Sequence, residues 1–94
     1  MRARLTEEQI VGALADVPDW NREGDAIVRT VECPDFAAAI AFVVRVGFLA
    51  EAKDHHPDID VRWRTVRLLV TTHDLGGLSE WDFELAAAID EVAP

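Results

Sequence analysis

Hydrophobic and polar positions repeat along this chain with two periods, and each period marks a different kind of element. Leu5, Ile10, Val11 and Leu14 share one side of a 3.6-residue repeat. Thr6-Glu-Glu-Gln9 at their head is a capping-box pattern, in which Thr6 accepts from the Gln9 N–H and Gln9 reaches back. This predicts a short helix that stops before Pro18, because the residue ahead of a proline is pushed out of the helical region. Trp20-Asn-Arg and Ala26–Glu32 then read with a period of two, as strands joined at Glu23-Gly24-Asp25, where Gly24 supplies a positive φ. Within the second strand, Val28 and Thr30 alternate with Ile27, Arg29 and Val31.

Pro34-Asp35 predicts the opening of a long helix that runs to about Lys53. Proline fits a first helical turn, and Asp35 there complements the positive end of the dipole. Phe36, Ile40, Val43, Gly47 and Ala50 recur every three or four residues, and Phe42, Val46 and Leu49 widen that stripe. A helix this apolar needs cover on more than one side, from a sheet and from another helix or chain. Ile59–Trp63 alternates again, and Val66–Thr72 returns as its partner strand. Gly76-Gly77 breaks the chain, and Ser79-Glu-Trp-Asp82 is a second capping signature. A last helix follows to about Val92, patterned by Phe83, Ala86, Ala87 and Ile89. The order α-β-β-α-β-β-α predicts an antiparallel sheet with helices on one face, a two-layer α+β domain.

Composition narrows the function classes. With 94 residues the chain has room for one domain, 1–94. Its 18 acidic and 9 basic side chains give a formal charge of −9. That balance argues against nucleic acid, whose affinity depends on Lys and Arg neutralising phosphates, and against an anionic membrane surface. A single cysteine, Cys33, cannot form an internal disulfide, so packing must carry the fold. The start Met1-Arg-Ala-Arg has no apolar segment of a secretory signal, and Arg45 interrupts the longest apolar tract, Phe36–Ala50. A soluble cytoplasmic protein is expected.

The placement of the histidines carries the chemistry. A two-residue loop at Arg64-Thr65 would put Trp63 opposite Val66, Val61 opposite Leu68 and Ile59 opposite Val70, all on one face. A three-residue turn with a one-residue shift is the alternative, since Arg-Thr is poor loop chemistry. Either hairpin doubles back so that His73 meets residue 56 or 57, bringing His55, His56 and His73 to one rim. Glu51 lies one helical turn before His55, and Asp54, Asp58, Asp74 and Asp82 lie in the same connections. A histidine near a helix C-terminus and beside a carboxylate has its charged form favoured, and can then donate a proton near neutral pH. No Gly-x-Ser-x-Gly elbow occurs and Cys33 is distant in sequence, so the chemistry reads as proton transfer without a covalent intermediate. Metal binding is the weaker reading, because adjacent His55 and His56 make awkward co-ligands and no His-x-x-x-His supports them. Blander roles exist for each residue: a surface histidine, a turn at Gly76-Gly77, a simple helix cap at Asp82. Arg62, Arg64 and Arg67 read as a solvated or subunit-contact face.

The run Glu51-Ala-Lys-Asp-His55-His56-Pro57, then Trp63, Thr72-His73-Asp74, Gly76-Gly77-Leu78 and Asp82, closely resembles the pterin-4a-carbinolamine dehydratases. Upstream it extends through Trp20, the strand 26–31 and Asp35-Phe36, nearly the whole chain. The resemblance implies a four-stranded antiparallel sheet with helices on one face, and dehydration of a 4a-hydroxytetrahydropterin to the quinonoid dihydropterin. Carried over by position, His55 and His73 are the acid/base pair, His56 chiefly holds the pterin, and Glu51 and Asp82 orient the imidazoles. Asp54, Pro57, Trp63, Thr72 and Asp74 fall at substrate-binding positions. The pterin is the substrate, so no separate cofactor and no metal are implied, and a homodimer or homotetramer is expected. Asp54 departs from the Asn common at its position. Ile59 departs from the aromatic of animal members, and Trp63 fills a slot usually taken by Tyr. A non-catalytic assembly or interaction factor of the same fold is the alternative function, and retention of all three histidines counts against it.

Overall fold

The computed structural model describes residues 3–94. Met1 and Arg2, which open the stretch read above for a secretory signal, lie outside the described residues. Thr6 caps α1 (Glu7–Ala15) with both bonds of the capping box, Oγ1 accepting from Gln9 N at 3.2 Å and Gln9 Oε1 accepting from Thr6 N at 2.9 Å. Ile10 is buried and Leu14 half-buried, but Val11 is exposed, so the packed side is narrower than the spacing predicts. In the hairpin of β1 (Asn21–Glu23) and β2 (Ala26–Glu32), Glu23 pairs with Ala26, which confines the turn to Gly24-Asp25. Gly24 takes φ +60°, the conformation for which glycine was expected there. Trp20 lies just before β1, buried, with its indole N–H donating to Asp90 at 2.8 Å.

Asp35 is the N-cap of α2 (Phe36–Lys53), accepting from Ala38 N at 2.7 Å, and Pro34 therefore stands outside the helix rather than in its first turn. The inward face of α2 also differs from the expected stripe. Ala39, Phe42, Val46 and Ala50 are buried, whereas Phe36 and Ile40 join Val44 and Phe48 on the exposed side. Two apolar stripes satisfy the same periodicity, and only packing decides which one turns inward.

β3 (Asp58–Arg62) and β4 (Thr65–Val70) pair with Val61 opposite Val66 and Ile59 opposite Leu68. The two-residue turn is thus Trp63-Arg64, one position earlier than predicted, and each cross-strand pair shifts by two. A shift of two keeps every side chain on its expected face, so alternation alone cannot detect it. Trp63 does not face Val66; it occupies the turn at φ +54°, largely exposed, with the Arg64 guanidinium 4.8 Å from its ring centroid. Arg64 O accepts from Cys33 N at 2.9 Å, which ties this tip to the connection before α2.

The sheet order is β1-β2-β4-β3, antiparallel throughout. Ile27, Val31, Val66, Leu68 and Val70 form the covered face, closed over by α2 and by Leu85, Ala86 and Ile89 of α3 (Glu80–Val92). Each such side chain contributes roughly 1.5–3 kcal/mol on full burial. The opposite face carries polar pairs, Arg67 with Glu23 at 2.9 Å and Thr65 with Glu32 at 2.6 Å. This is the two-layer α+β arrangement in the expected element order. Between β4 and α3 the chain forms a short 3-10 helix, His73–Leu75, closed by Gly76 at φ +66° and flanked by a Thr72–Gly77 bridge. Among the described residues no helix is long and apolar enough to cross a membrane.

Candidate active site

The end of α2 sets the geometry of the histidine pair. Asp54 takes the left-handed conformation at φ +50°, its N–H donating to Glu51 O at 3.2 Å, while His55 N–H donates to Ala50 O at 3.1 Å. These two bonds form a Schellman motif with Asp where Gly is usual. The chain leaves the helix abruptly there, and His55-His56-Pro57 bridges α2 to β3.

His55 is held from α3. Its Nε2 lies 2.6 Å from Asp82 Oδ1, with the imidazole 13% exposed and the carboxylate fully buried. Asp82 Oδ2 accepts from Thr72 Oγ1 and from Ser79 N, both at 2.8 Å. Thr72 has one hydroxyl proton and directs it to Asp82, so in the 2.7 Å contact between the two hydroxyls Ser79 Oγ is the donor. A carboxylate already accepting two bonds takes the Nε2–H of His55 as a third, which selects the tautomer with the proton on Nε2. The sequence marks Ser79 as a helix cap; the structure also buries it within this network. Asp82 combines the two roles: it is the third residue of the cap and the anchor of an imidazole.

His56 makes a looser pair. Its Nε2 lies 2.8 Å from Glu51 Oε1, both side chains mostly exposed. His73 sits in the exposed first position of the 3-10 helix, next to the buried Thr72. Among the described residues, Glu51 and Asp82 are the carboxylates that hydrogen-bond a histidine ring; Asp54, Asp58 and Asp74 do not.

The three histidines line one cavity of about 410 Å³ together with Asp54, Thr72 and Asp74 of the expected set. Lys53, Thr71 and Trp81 complete its wall, and none of these was singled out from the sequence. Lys53 and Thr71 flank nominated residues, a signal that adjacency alone supplies. Trp81 had a stronger one, as the residue between the cap and Asp82 on a helix whose first turn faces the histidines. Pro57 and Trp63 do not line this cavity. Trp63 lies beyond the far end of β3, five residues from Asp58 and so roughly 17 Å along the strand. A groove of about 520 Å³ between α1 and α3 is larger, but Leu5, Val17 and Phe83 line it with no histidine nearby. Among the described residues no group of three His, Cys, Asp or Glu is arranged to hold a metal ion.

Comparison with known proteins places this geometry. The family model described as "Pterin 4 alpha carbinolamine dehydratase" matches residues 3–92. A Chloroflexus aurantiacus protein named "Putative pterin-4-alpha-carbinolamine dehydratase" is 61% identical over 89 residues, 95% of this chain and 96% of its own length. A Nocardia farcinica protein of the same name is 56% identical, over 95% of this chain and 94% of its own. Among solved structures, a Brucella melitensis protein described as "transcriptional coactivator/pterin dehydratase" superposes with a TM-score of 0.93 at 30% identity, covering 97% of this chain and 99% of that one. The matches run through both walls of the histidine cavity, and the chain belongs to the pterin 4 alpha carbinolamine dehydratase family.

Proposed function

We propose that this protein is a hydro-lyase that dehydrates a 4a-hydroxytetrahydropterin to the quinonoid dihydropterin and water, in the recycling of a tetrahydropterin. The observation that carries the reading is the meeting of His55, His56 and His73 around one cavity, in a chain of this family. The cavity volume, about 410 Å³, falls within the roughly 300–1,000 Å³ of small-molecule sites.

The reaction breaks the C4a–O bond and removes the proton from the adjacent ring nitrogen, whose electron pair forms the new C=N bond. Hydroxide is a poor leaving group, so an imidazolium delivers a proton to it and water departs. A neutral imidazole takes the nitrogen proton. His55 and His73 divide these two transfers, a contribution of roughly 10²–10⁴-fold. Asp82 orients His55, and Glu51 orients His56, which holds the pterin. Asp54, Thr72 and Asp74 offer polar contacts to the ring edge. The pterin is substrate and product, so the scheme needs no further cofactor and no metal.

A homo-oligomer in the cytoplasm is the working form we propose. Phe36, Ile40, Val44 and Phe48 recur every four residues on the outer side of α2 and are 52%, 40%, 52% and 74% exposed. They leave on the order of 400 Å² of apolar surface open, about half of what one partner buries in a standard interface. A second copy presenting the same face is the occupant that needs no charge match, since Arg45 is the one charged residue in this stretch. Phe48→Glu should shift the sedimentation coefficient toward that of the monomer.

The activity test measures conversion of freshly generated 4a-hydroxytetrahydropterin with and without the protein. Acceleration that disappears in the His55→Ala, His73→Ala double variant, with circular dichroism unchanged, is the expected result. No acceleration, or acceleration that survives both substitutions, would refute the proposal.

A further inference from the structure

We infer that Trp81 is the wall on which the planar half of the pterin lies, making it a binding and specificity residue of the proposed site. The inference rests on the pterin reading above and adds a residue to it. A flat heterobicycle needs face contact as well as hydrogen bonds at its edge, and small-molecule sites are usually lined mostly by apolar groups. The cavity is otherwise furnished by charged side chains, imidazoles and hydroxyls, and Trp81 brings its one broad hydrocarbon face.

Its position fits that use. Trp81 is in the first turn of α3, immediately before Asp82, so the helix turns about 100° between them. Asp82 points into the core and holds His55 Nε2, while the Trp81 indole stands beside the same imidazole with ring centroids 6.3 Å apart and planes 38° from parallel. The two rings are therefore tilted rather than stacked. Trp81 is 36% exposed and lines the cavity. A ring lying there would sit against the imidazole that Asp82 orients. Ring placement and proton transfer would then be set by consecutive residues of one helix.

The test titrates 7,8-dihydrobiopterin into the full chain, its Trp81→Leu variant and its Trp81→Phe variant by calorimetry, alongside turnover of 4a-hydroxytetrahydropterin. Trp81→Leu is expected to raise both Kd and KM about tenfold, the loss of one aromatic stack, and to leave kcat within about threefold. Trp81→Phe should recover most of the affinity. Unchanged binding by Trp81→Leu would overturn the inference, as would a fall in kcat with Kd and KM unaltered, which would mean that Trp81 acts only through His55. Fluorescence supplies a reading independent of the Leu variant's folding. In a Trp63→Phe background, bound pterin should quench a component of the indole emission that vanishes when Trp81 is also Phe. Equal quenching in both would overturn the inference. A parent protein that neither binds nor dehydrates refutes the proposed function, and this residue's role with it. A parent that turns over normally beside an unaffected Trp81→Leu refutes the residue's role alone.

Discussion

His55 and His56 are neighbours in sequence, each with its Nε2 on a carboxylate, but the two pairs stand in different physical settings. His55 meets a fully buried Asp82 whose other oxygen is already bonded to Thr72 and Ser79. His56 meets Glu51 at the surface, 59% and 81% exposed. Water competes for every bond of the second pair and for almost none of the first. A buried carboxylate stripped of a donor, or a donor stripped of the carboxylate, has no substitute partner. A surface pair loses little, because solvent replaces either member. One imidazole is fixed in orientation and tautomer, while the other remains free to adjust to a ligand.

The comparison breaks most visibly at Asp82. Asp82→Ala leaves Thr72, Ser79 N–H and His55 without their acceptor, and should lower unfolding free energy by about 3 kcal/mol in urea titration while activity falls about 10²-fold or more. If the loss is small, the network is wetter than its burial implies. Asp54→Val comes next. A β-branched residue in the left-handed conformation costs about 1–2 kcal/mol, and the same denaturation experiment should show it, with KM rising because the turn aims both histidines. Glu51→Gln should then change stability by less than about 0.5 kcal/mol and kcat/KM by only about threefold. A Glu51 effect as large as that of Asp82 would abolish the distinction between the two pairs.

The smallest effect lies in the core, away from both pairs. Burial, with Glu32 and Asp35 nearby, pushes the Cys33 thiol above its usual range. The folded protein therefore holds this proton more tightly than the unfolded chain. Its stabilising contribution is complete below the unfolded value of about 8.5 and declines as pH rises beyond it. Thermal melts should fall slightly from pH 8 to pH 10, and Cys33→Ala should flatten part of that slope.

The capping boxes at Thr6 and Ser79, the glycine turn at Gly24 and the order of elements were legible because each depends on residues close together in the chain. The histidine rim was legible for a related reason: a hairpin between His56 and His73 brings its ends together whichever register it takes. Other features were not. The turn at Trp63-Arg64 lies one residue earlier than alternation predicts, because a two-position slip preserves the faces; in either register Trp63 stays at the hairpin tip, away from the histidine rim. Which of the two stripes of α2 turns inward is not legible, because Phe36-Ile40 and Phe42-Val46 are equally apolar in a one-dimensional pattern. In sequence the acids surround the histidines collectively, whereas among the described residues Glu51 and Asp82 are the ones that bond to them.

By itself, then, the sequence determined the elements, the α+β layering and the residue types gathered at the rim, since these follow from local propensity, alternation and the return of a hairpin. The tertiary structure decided which carboxylate is buried, which tautomer His55 takes, and that Ser79 and Trp81 join the histidines. The reason is that α3 crosses from a distant part of the chain to supply these contacts. Desolvation, which separates a strong pair from a weak one, is a property of everything packed around a group and has no local signature.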